Sequence, residues 1–241
     1  MNKYLDWRKY VLFAQYHLST KYKKSYSQCG EDLLMRCALN LIGIEHPTYI
    51  DIGTNHPILN NNTYLFYSTG SRGVCVEPDP ELFRVIKRTR TRDVCLQAGV
   101  GPEESEGADF YAMSSKPLGT FSQKEAEKNA STKNYGDQSI QKVLKLPLYT
   151  VDSIVEKYLS GSVDIISVDA EGLDFEILKS INVTKYRPKL ICAETLRYSD
   201  QGTVEKQKEI LEYLASVGYM VYADTNVNTV FIDSAFADLI R

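Results

Sequence analysis

The stretch TYIDIGTNHP, Thr48 to Pro57, reads as a buried strand that runs into a turn. It carries one glycine, Gly53, where a dinucleotide-binding turn of the G-x-G-x-x-G type carries three. In that type the second glycine lets backbone approach a pyrophosphate, and the third lets helix and strand pack closely. Here those positions are Asn55 and Ile58, with Pro57 inside the turn, so a diphosphate meets side chains instead of bare backbone.

Outward from this turn, strand-like and helix-like segments alternate. The pattern predicts strands at 48–52, 73–77, 93–98, 163–168, 189–194, 219–223 and 228–232. Helices are expected between them at 61–69, 79–90, 150–159, 172–181 and 204–217. Continuous apolar runs such as DIISV and KLICA, separated by amphipathic helices, indicate an α/β fold with helices on both faces of a mostly parallel sheet. The last two strands are separated only by a short turn and must form an antiparallel hairpin, completing a Rossmann-like, seven-stranded sheet. Residues 101–145 interrupt the alternation, with one short strand candidate at Ala108–Met113 followed by a polar stretch. A loop of that length in a compact domain is expected to act as a lid over a site.

In open α/β sheets, ligands bind beyond the carboxyl ends of the strands. Those ends supply Asp51, Glu77, Asp169, Glu171 and Glu194, with no lysine or arginine among them. Glu77 follows Asp51 by 26 residues, the place where an acid accepts hydrogen bonds from ribose hydroxyls. Such a rim repels a diphosphate and suits a cation. A cofactor with a ribose diol, a sulfonium and an ammonium, but no phosphate, meets these demands: S-adenosylmethionine. The rival reading, an oxidoreductase using NAD, lacks its glycines.

The ordered set YSQCGEDLL (26–34), YIDIGTNHP (49–57), NNTYLFYSTGSRGVCVEPDPELF (61–83), TFS (120–122), VDIISVDAEGLDFEILKSI (163–181) and KLICAET (189–195) resembles the FkbM-type methyltransferases. The resemblance spans roughly residues 26–232 and implies a class I methyltransferase fold over 26–241, with 101–145 as a lid-like insertion and 1–25 as an N-terminal extension. It further implies S-adenosylmethionine dependence and O-methylation of a small polar acceptor, a sugar or a nucleotide-linked sugar. By the same resemblance, Asp51, Gly53 and Asn55 cradle the amino-acid portion of the cofactor and Glu77 holds the ribose. Gln97 and Ala98 line the adenine slot, and Asp169 lies near the methyl donor. Gln28, in the SQCGED segment, joins the cofactor set. An inactive cofactor-binding module is the remaining alternative.

A sugar hydroxyl is a poor nucleophile until its proton leaves, so a base or a metal is required. Asp169, Glu171 and His56 are the candidate bases. The other route has Asp169 and Glu194, on adjacent strand ends, hold Mg²⁺ or a similar hard cation, with Asn228 as a third oxygen ligand. His17 and His46 read as structural. Tyr111, Tyr135 and Tyr198 are candidates for stacking on a sugar face or for covering the core.

Charge narrows the partners. The 241-residue chain has a net charge of −3, and its basic excess is confined to residues 1–26, which hold six Lys/Arg against one acid. The acidic body argues against nucleic acid as substrate. Tyr4, Trp7, Val11, Ala14 and Leu18 recur at helical spacing, so a helix packed on its own domain is expected there, with a membrane-surface or dimer arm as the rival reading that leaves room for a homo-oligomer. No apolar run is long enough to span a bilayer. Five scattered cysteines without a C-x-x-C pair lead to an expectation of buried thiols and a cytoplasmic protein.

Overall fold

A computed structural model of the chain describes residues 24–131, 137–198 and 204–240. The helix expected on Tyr4–Leu18, and Tyr135, lie outside the described residues.

The strand read from TYIDI forms as Thr48–Ile52 (β1) and sits near the middle of a seven-stranded sheet. Its parallel neighbours are Arg72–Val76 (β2) and Ile165–Val168 (β7). Beyond β2 lies Val94–Leu96 (β3), and beyond β7 lies Leu190–Glu194 (β8). Asn228–Asp233 (β12) runs antiparallel to β8 and pairs on its other side with Tyr219–Asp224 (β11). The order β11-β12-β8-β7-β1-β2-β3 is that of the class I methyltransferase sheet, hairpin included. The chain winds outward from β1 in both directions, so the topological switch point lies between β1 and β7.

Period-two alternation divides the core. Ile50 and Ile52 join Val74, Val76, Ile166 and Val168 on the face covered by the helices Val151–Tyr158 (α5), Asp174–Ser180 (α6) and Lys208–Ser216 (α7). Tyr49, Ile165, Leu190, Cys192 and Val230 face the other way, toward the helices Glu31–Leu41 (α1) and Tyr64–Ser68 (α2). Each buried Ile, Val or Leu contributes about 1.5–3 kcal/mol through the water it sheds. The helix Pro80–Thr89 (α3) joins β2 to β3 and is capped by Asp79, whose carboxylate accepts from the amides of Glu81 and Leu82.

Three expectations need correction. Residues 101–145 do not form a loop with one strand. They belong to a three-stranded sheet in the order β4-β6-β5, built from Gly99–Val100 (β4), Ser105–Met113 (β5) and Ile140–Tyr149 (β6), with the helix Gln123–Ser131 (α4) between the long strands. β6 escapes a sequence reading because its first four residues are exposed and Pro147 interrupts its second half, where Leu144, Leu146 and Leu148 alternate over only a short run. The helix expected over 204–217 begins only at Lys208, since Val204–Lys206 (β10) first pairs antiparallel with Leu196–Tyr198 (β9). Cys75 and Cys192 are buried as expected, but Cys29 and Cys37 are exposed and Cys95 is half-buried. Among the described residues no helix is long and apolar enough to cross a membrane.

α1 is tied down at its start by two acids. Asp32 accepts from the hydroxyls of Ser25 and Ser27 and from the amide of Tyr26. Glu31 accepts from the amide of Cys29, the Thr225 hydroxyl and the Asn228 amide nitrogen, linking the helix to the β11–β12 hairpin.

Behind the strand–turn junction a guanidinium lies fully buried. Arg90, just past α3, donates through Nε to Asp93, through Nη1 to the Pro57 carbonyl and Asn61, and through Nη2 to Tyr49 and Thr63. Asp51 accepts in turn from Asn61 and Thr63. Replacing Arg90 strands buried carboxylates without their cation, which costs about 3–5 kcal/mol. Arg90→Met is therefore expected to lower the urea unfolding free energy by about that amount. A loss well below this in an urea melt contradicts the role assigned to Arg90.

Candidate functional site

The carboxyl end of β1 turns sharply at Gly53, which has φ 73°. Its amide and that of Thr54 both donate to the Val76 carbonyl, folding the chain back over β2. A Cβ at Gly53 would lie 1.8 Å from the backbone oxygen of Asp169, so the ends of β1 and β7 touch only because this residue is glycine. Asn55 also adopts a left-handed conformation, φ 54°, and its amide donates to Glu77 Oε2 at 2.8 Å. The amide of Asp79 donates to Glu77 Oε1, also at 2.8 Å.

Beyond these strand ends opens a concave site lined by polar and apolar groups from several loops. Gly53, Asn55 and Glu77 form one side, Ala98 and Val100 another, and Asp169, Ala170 and Glu171 a third. The remaining wall comes from the 101–145 segment through Phe110, Lys116, Pro117, Thr120 and Phe121. Phe110 and Phe121 pack ring against ring with centroids 5.1 Å apart. Lys116 is the lysine that the strand ends lacked, but it is paired with Glu81.

The acids divide into two groups. Asp51, Glu77, Asp79 and Asp174 are satisfied by protein donors; Asp174 accepts from the amides of Ala170 and Gly172. The carboxylates of Asp169, Glu171 and Glu194 accept from none among the described residues. Solvent reaches Asp169 within the concave site, although protein encloses it on most sides. Enclosure pushes its proton affinity up, and the charges of Asp174 and Asp51 push it further. Glu171 is raised by enclosure and by the charges of Asp169 and Glu194, and Glu194 by enclosure and by Asp169. Burial also raises Glu77, to about 7, against the two amides that favour its charged form.

Thus Gly53, Asn55, Glu77, Ala98, Asp169 and Glu171 are brought together around one cavity. Several other sequence candidates are placed elsewhere. Asp51 points to the opposite side of the sheet end, into the Arg90 network. Gln28 is exposed and, like Gln97, does not line the cavity. His56 lies outside it as well, and its Nδ1 accepts from the amides of Ile58 and Leu59. That arrangement leaves the proton on Nε2, so this histidine has no free basic nitrogen. Glu194 and Asn228 are register partners on β8 and β12, and the amide nitrogen of Asn228 is committed to Glu31. Among the described residues no group of three or more His, Cys, Asp or Glu is placed to hold a metal ion, so Asp169 and Glu194 lack an acidic, thiol or imidazole third ligand. Tyr111 packs against Met113, Leu118 and Ala126, and the side chain of Tyr198 lies outside the described residues. Sequence reasoning missed Phe110, Lys116 and Phe121, for which the TFS segment was the one available signal.

The family model for the methyltransferase FkbM domain matches residues 51–221. The chain belongs to the FkbM methyltransferase family. This methyltransferase is also similar, at low identity, to solved structures. The FkbM methyltransferase of Methylobacillus flagellatus is 12% identical with a TM-score of 0.45, over 77% of this chain and 43% of that one. The chain thus spans less than half of that protein. An O-methyltransferase from Bacillus cereus, solved in complex with SAH, is 12% identical with a TM-score of 0.40, over 94% of this chain and 87% of that one. A TehB-like SAM-dependent methyltransferase from Corynebacterium glutamicum is 10% identical with a TM-score of 0.43, over 93% and 97% of the two chains. No curated protein matches.

The raised Glu77 carboxyl has a measurable consequence in the ligand-free methyltransferase. The native state holds this proton more tightly than the unfolded chain, so the contribution of this group to stability is greatest below pH 4.5 and is lost as pH rises toward 7. Relative to Glu77→Gln, which does not titrate, the wild type should lose roughly 2–3 kcal/mol across that window. Parallel stability–pH curves for the two proteins contradict the assignment.

Proposed function

We propose that this methyltransferase moves a methyl group from S-adenosylmethionine to a hydroxyl of a small polar acceptor, a sugar or a nucleotide-linked sugar. The observation that carries the reading is the polarity of the cavity. One side holds a carboxylate fixed by two backbone amides, and the other holds carboxylates that no cation among the described residues neutralises.

The residues present fit the cofactor. Each oxygen of Glu77 accepts one amide and keeps a second lone pair for a ribose hydroxyl. Leu82, Ala98, Val100 and Phe110 offer apolar walls for a purine ring. Asp169, with the Gly53–Asn55 turn, gives negative potential and polar backbone for the sulfonium and the amino-acid end. When bound, the cofactor supplies an electrophilic methyl group for in-line displacement. Holding acceptor and donor in line accounts for much of the rate, up to about 7–11 kcal/mol in favourable cases.

What the chain's own residues then do is hold and take a proton. Asp169 and Glu171 both face the cavity, and their mutual repulsion makes either carboxylate a better base than an isolated one. His56 has no free basic nitrogen for the task. The hydroxyl acceptor and its sugar character rest on the family resemblance; the geometry adds an acid-flanked site. An NAD-dependent reaction is disfavoured by the turn itself, which holds Asn55 and Ile58 where a dinucleotide site has glycines.

Isothermal titration with S-adenosylhomocysteine tests the cofactor. Wild-type protein should bind it, and Glu77→Ala should weaken binding by about tenfold or more as charge-assisted hydrogen bonds are lost. No heat from folded wild type at high micromolar ligand sinks the reading. Transfer of radiolabelled methyl to a panel of free and nucleotide-linked sugars tests the rest. Asp169→Asn should lower kcat by about 100-fold. Cofactor binding without transfer to any acceptor would instead mark a binding module.

A further inference from the structure

The TFS segment, Thr120 to Ser122, is the part of the sequence pattern that the catalytic reading leaves without a task. We propose that Thr120 is a positioning residue: its hydroxyl staples the 101–145 segment to the Asp169–Gly172 turn and holds the backbone of Glu171 in the form the site uses. The proposal rests on the cavity being the methyl-transfer site.

The turn that carries Asp169 and Glu171 is unusual in one respect. Glu171, a residue with a Cβ, has φ 47°, in the left-handed region that side chains disfavour. Such a conformation persists only where its surroundings over-determine it. From inside the turn, Asp174 accepts from the amides of Ala170 and Gly172, at 2.9 and 3.3 Å. These bonds fix the residues on either side of Glu171 and leave its own carbonyl. That carbonyl accepts from Thr120 Oγ1 at 2.9 Å.

Thr120 is suited to impose geometry because it is itself immobilised. It is 2% exposed, and its hydroxyl oxygen accepts from the amide of Ser122 at 3.0 Å, which aims the proton at Glu171. Its backbone forms an antiparallel bridge with Tyr111 of β5, the two amide–carbonyl bonds being 2.8 and 3.3 Å. Ser122 then starts α4, accepting from the amide of Glu125 through its hydroxyl. Glu125 in turn packs over Gly172, where a Cβ would come within 2.7 Å of Glu125 Cγ. The segment therefore grips the turn at two neighbouring points, and Phe121 between them enters the cavity wall. A threonine supplies both the hydroxyl and the β-branched stiffness that keeps χ1 fixed.

The test uses the full-length protein and two isolated changes. Thr120→Val keeps the shape and removes the donor; Thr120→Ser keeps the donor. In ligand-free protein, amide hydrogen exchange at Ala170 and Gly172 should accelerate about tenfold in Thr120→Val, while Thr120→Ser exchanges like wild type. Affinity for S-adenosylhomocysteine should fall about tenfold in Thr120→Val, the equivalent of one lost hydrogen bond, and be restored in Thr120→Ser. If the valine protein does not fold, Thr120→Ala, which lacks the donor altogether, takes its place in the same comparison. Wild-type exchange at Ala170 and Gly172 in the donorless variant overturns the proposal. So does a serine variant that behaves like valine, because the hydroxyl would then not be the operative group. Failure of the methyltransferase reading looks different: wild type itself gives no heat with S-adenosylhomocysteine, and the exchange comparison, which needs no ligand, still decides the role of Thr120.

Discussion

The site depends on a buried cation that never reaches it. Arg90 directs its guanidinium to Asp93, Asn61, Thr63, Tyr49 and the Pro57 carbonyl, while Asp51 closes the circuit through Asn61 and Thr63. A charge with no exposed surface is tolerated only when its donors are matched, so the positions of its partners are narrowly set. Apart from Asp93, just before β3, those partners belong to β1 and to the loop that follows the Gly53 turn. The network therefore fixes from behind the chain segment whose front edge lines the cavity, and it explains why an NNT triplet follows the turn so closely.

With β1 held in place, the acids of the strand ends acquire different fates from the same chemistry. Asp51, Glu77, Asp79 and Asp174 spend their acceptors on amides, hydroxyls and a neighbouring side-chain amide, and so build the walls. Asp169, Glu171 and Glu194 are left with each other. Clustered like charges with no paired cation among the described residues keep a carboxyl's proton affinity high, which is the property a general base at neutral pH requires. The division follows from backbone geometry: loops after β1 and β2 present amides toward their acids, whereas the turn after β7 presents its amides to Asp174 and leaves Asp169 facing the cavity.

Much of this was legible in the sequence, for physical reasons. A strand buried on both faces is a continuous apolar run, and each of the seven strands of the main sheet was placed to within two residues. Glu77 was legible because it follows such a run directly. Asp51 was misplaced because its position at a strand end was considered without its parity. It shares a face with Tyr49, opposite Ile50 and Ile52, and that face leads to Arg90. Arg90 was invisible: in KRTRTRD it looks like one more solvated charge at a helix end. β6 was passed over for the converse reason: its first four residues face water, and the alternation of Leu144, Leu146 and Leu148 is confined to its second half beside Pro147. Burial of polar residues and exposure of regular structure are tertiary outcomes, and local pattern encodes neither.

The single glycine of the opening turn then has a cause different from the one its position first implies. In a dinucleotide site the glycines clear space for a ligand. Here Gly53 clears space for protein, because the Asp169 carbonyl lies where its Cβ would be. Bringing β1 and β7 into contact at the switch point draws the Asp169–Gly172 turn against the Gly53–Asn55 turn, so the carboxylate side of the cavity sits beside the polar backbone of the first loop. The motif is better understood as a constraint between strands than as a shortened nucleotide loop.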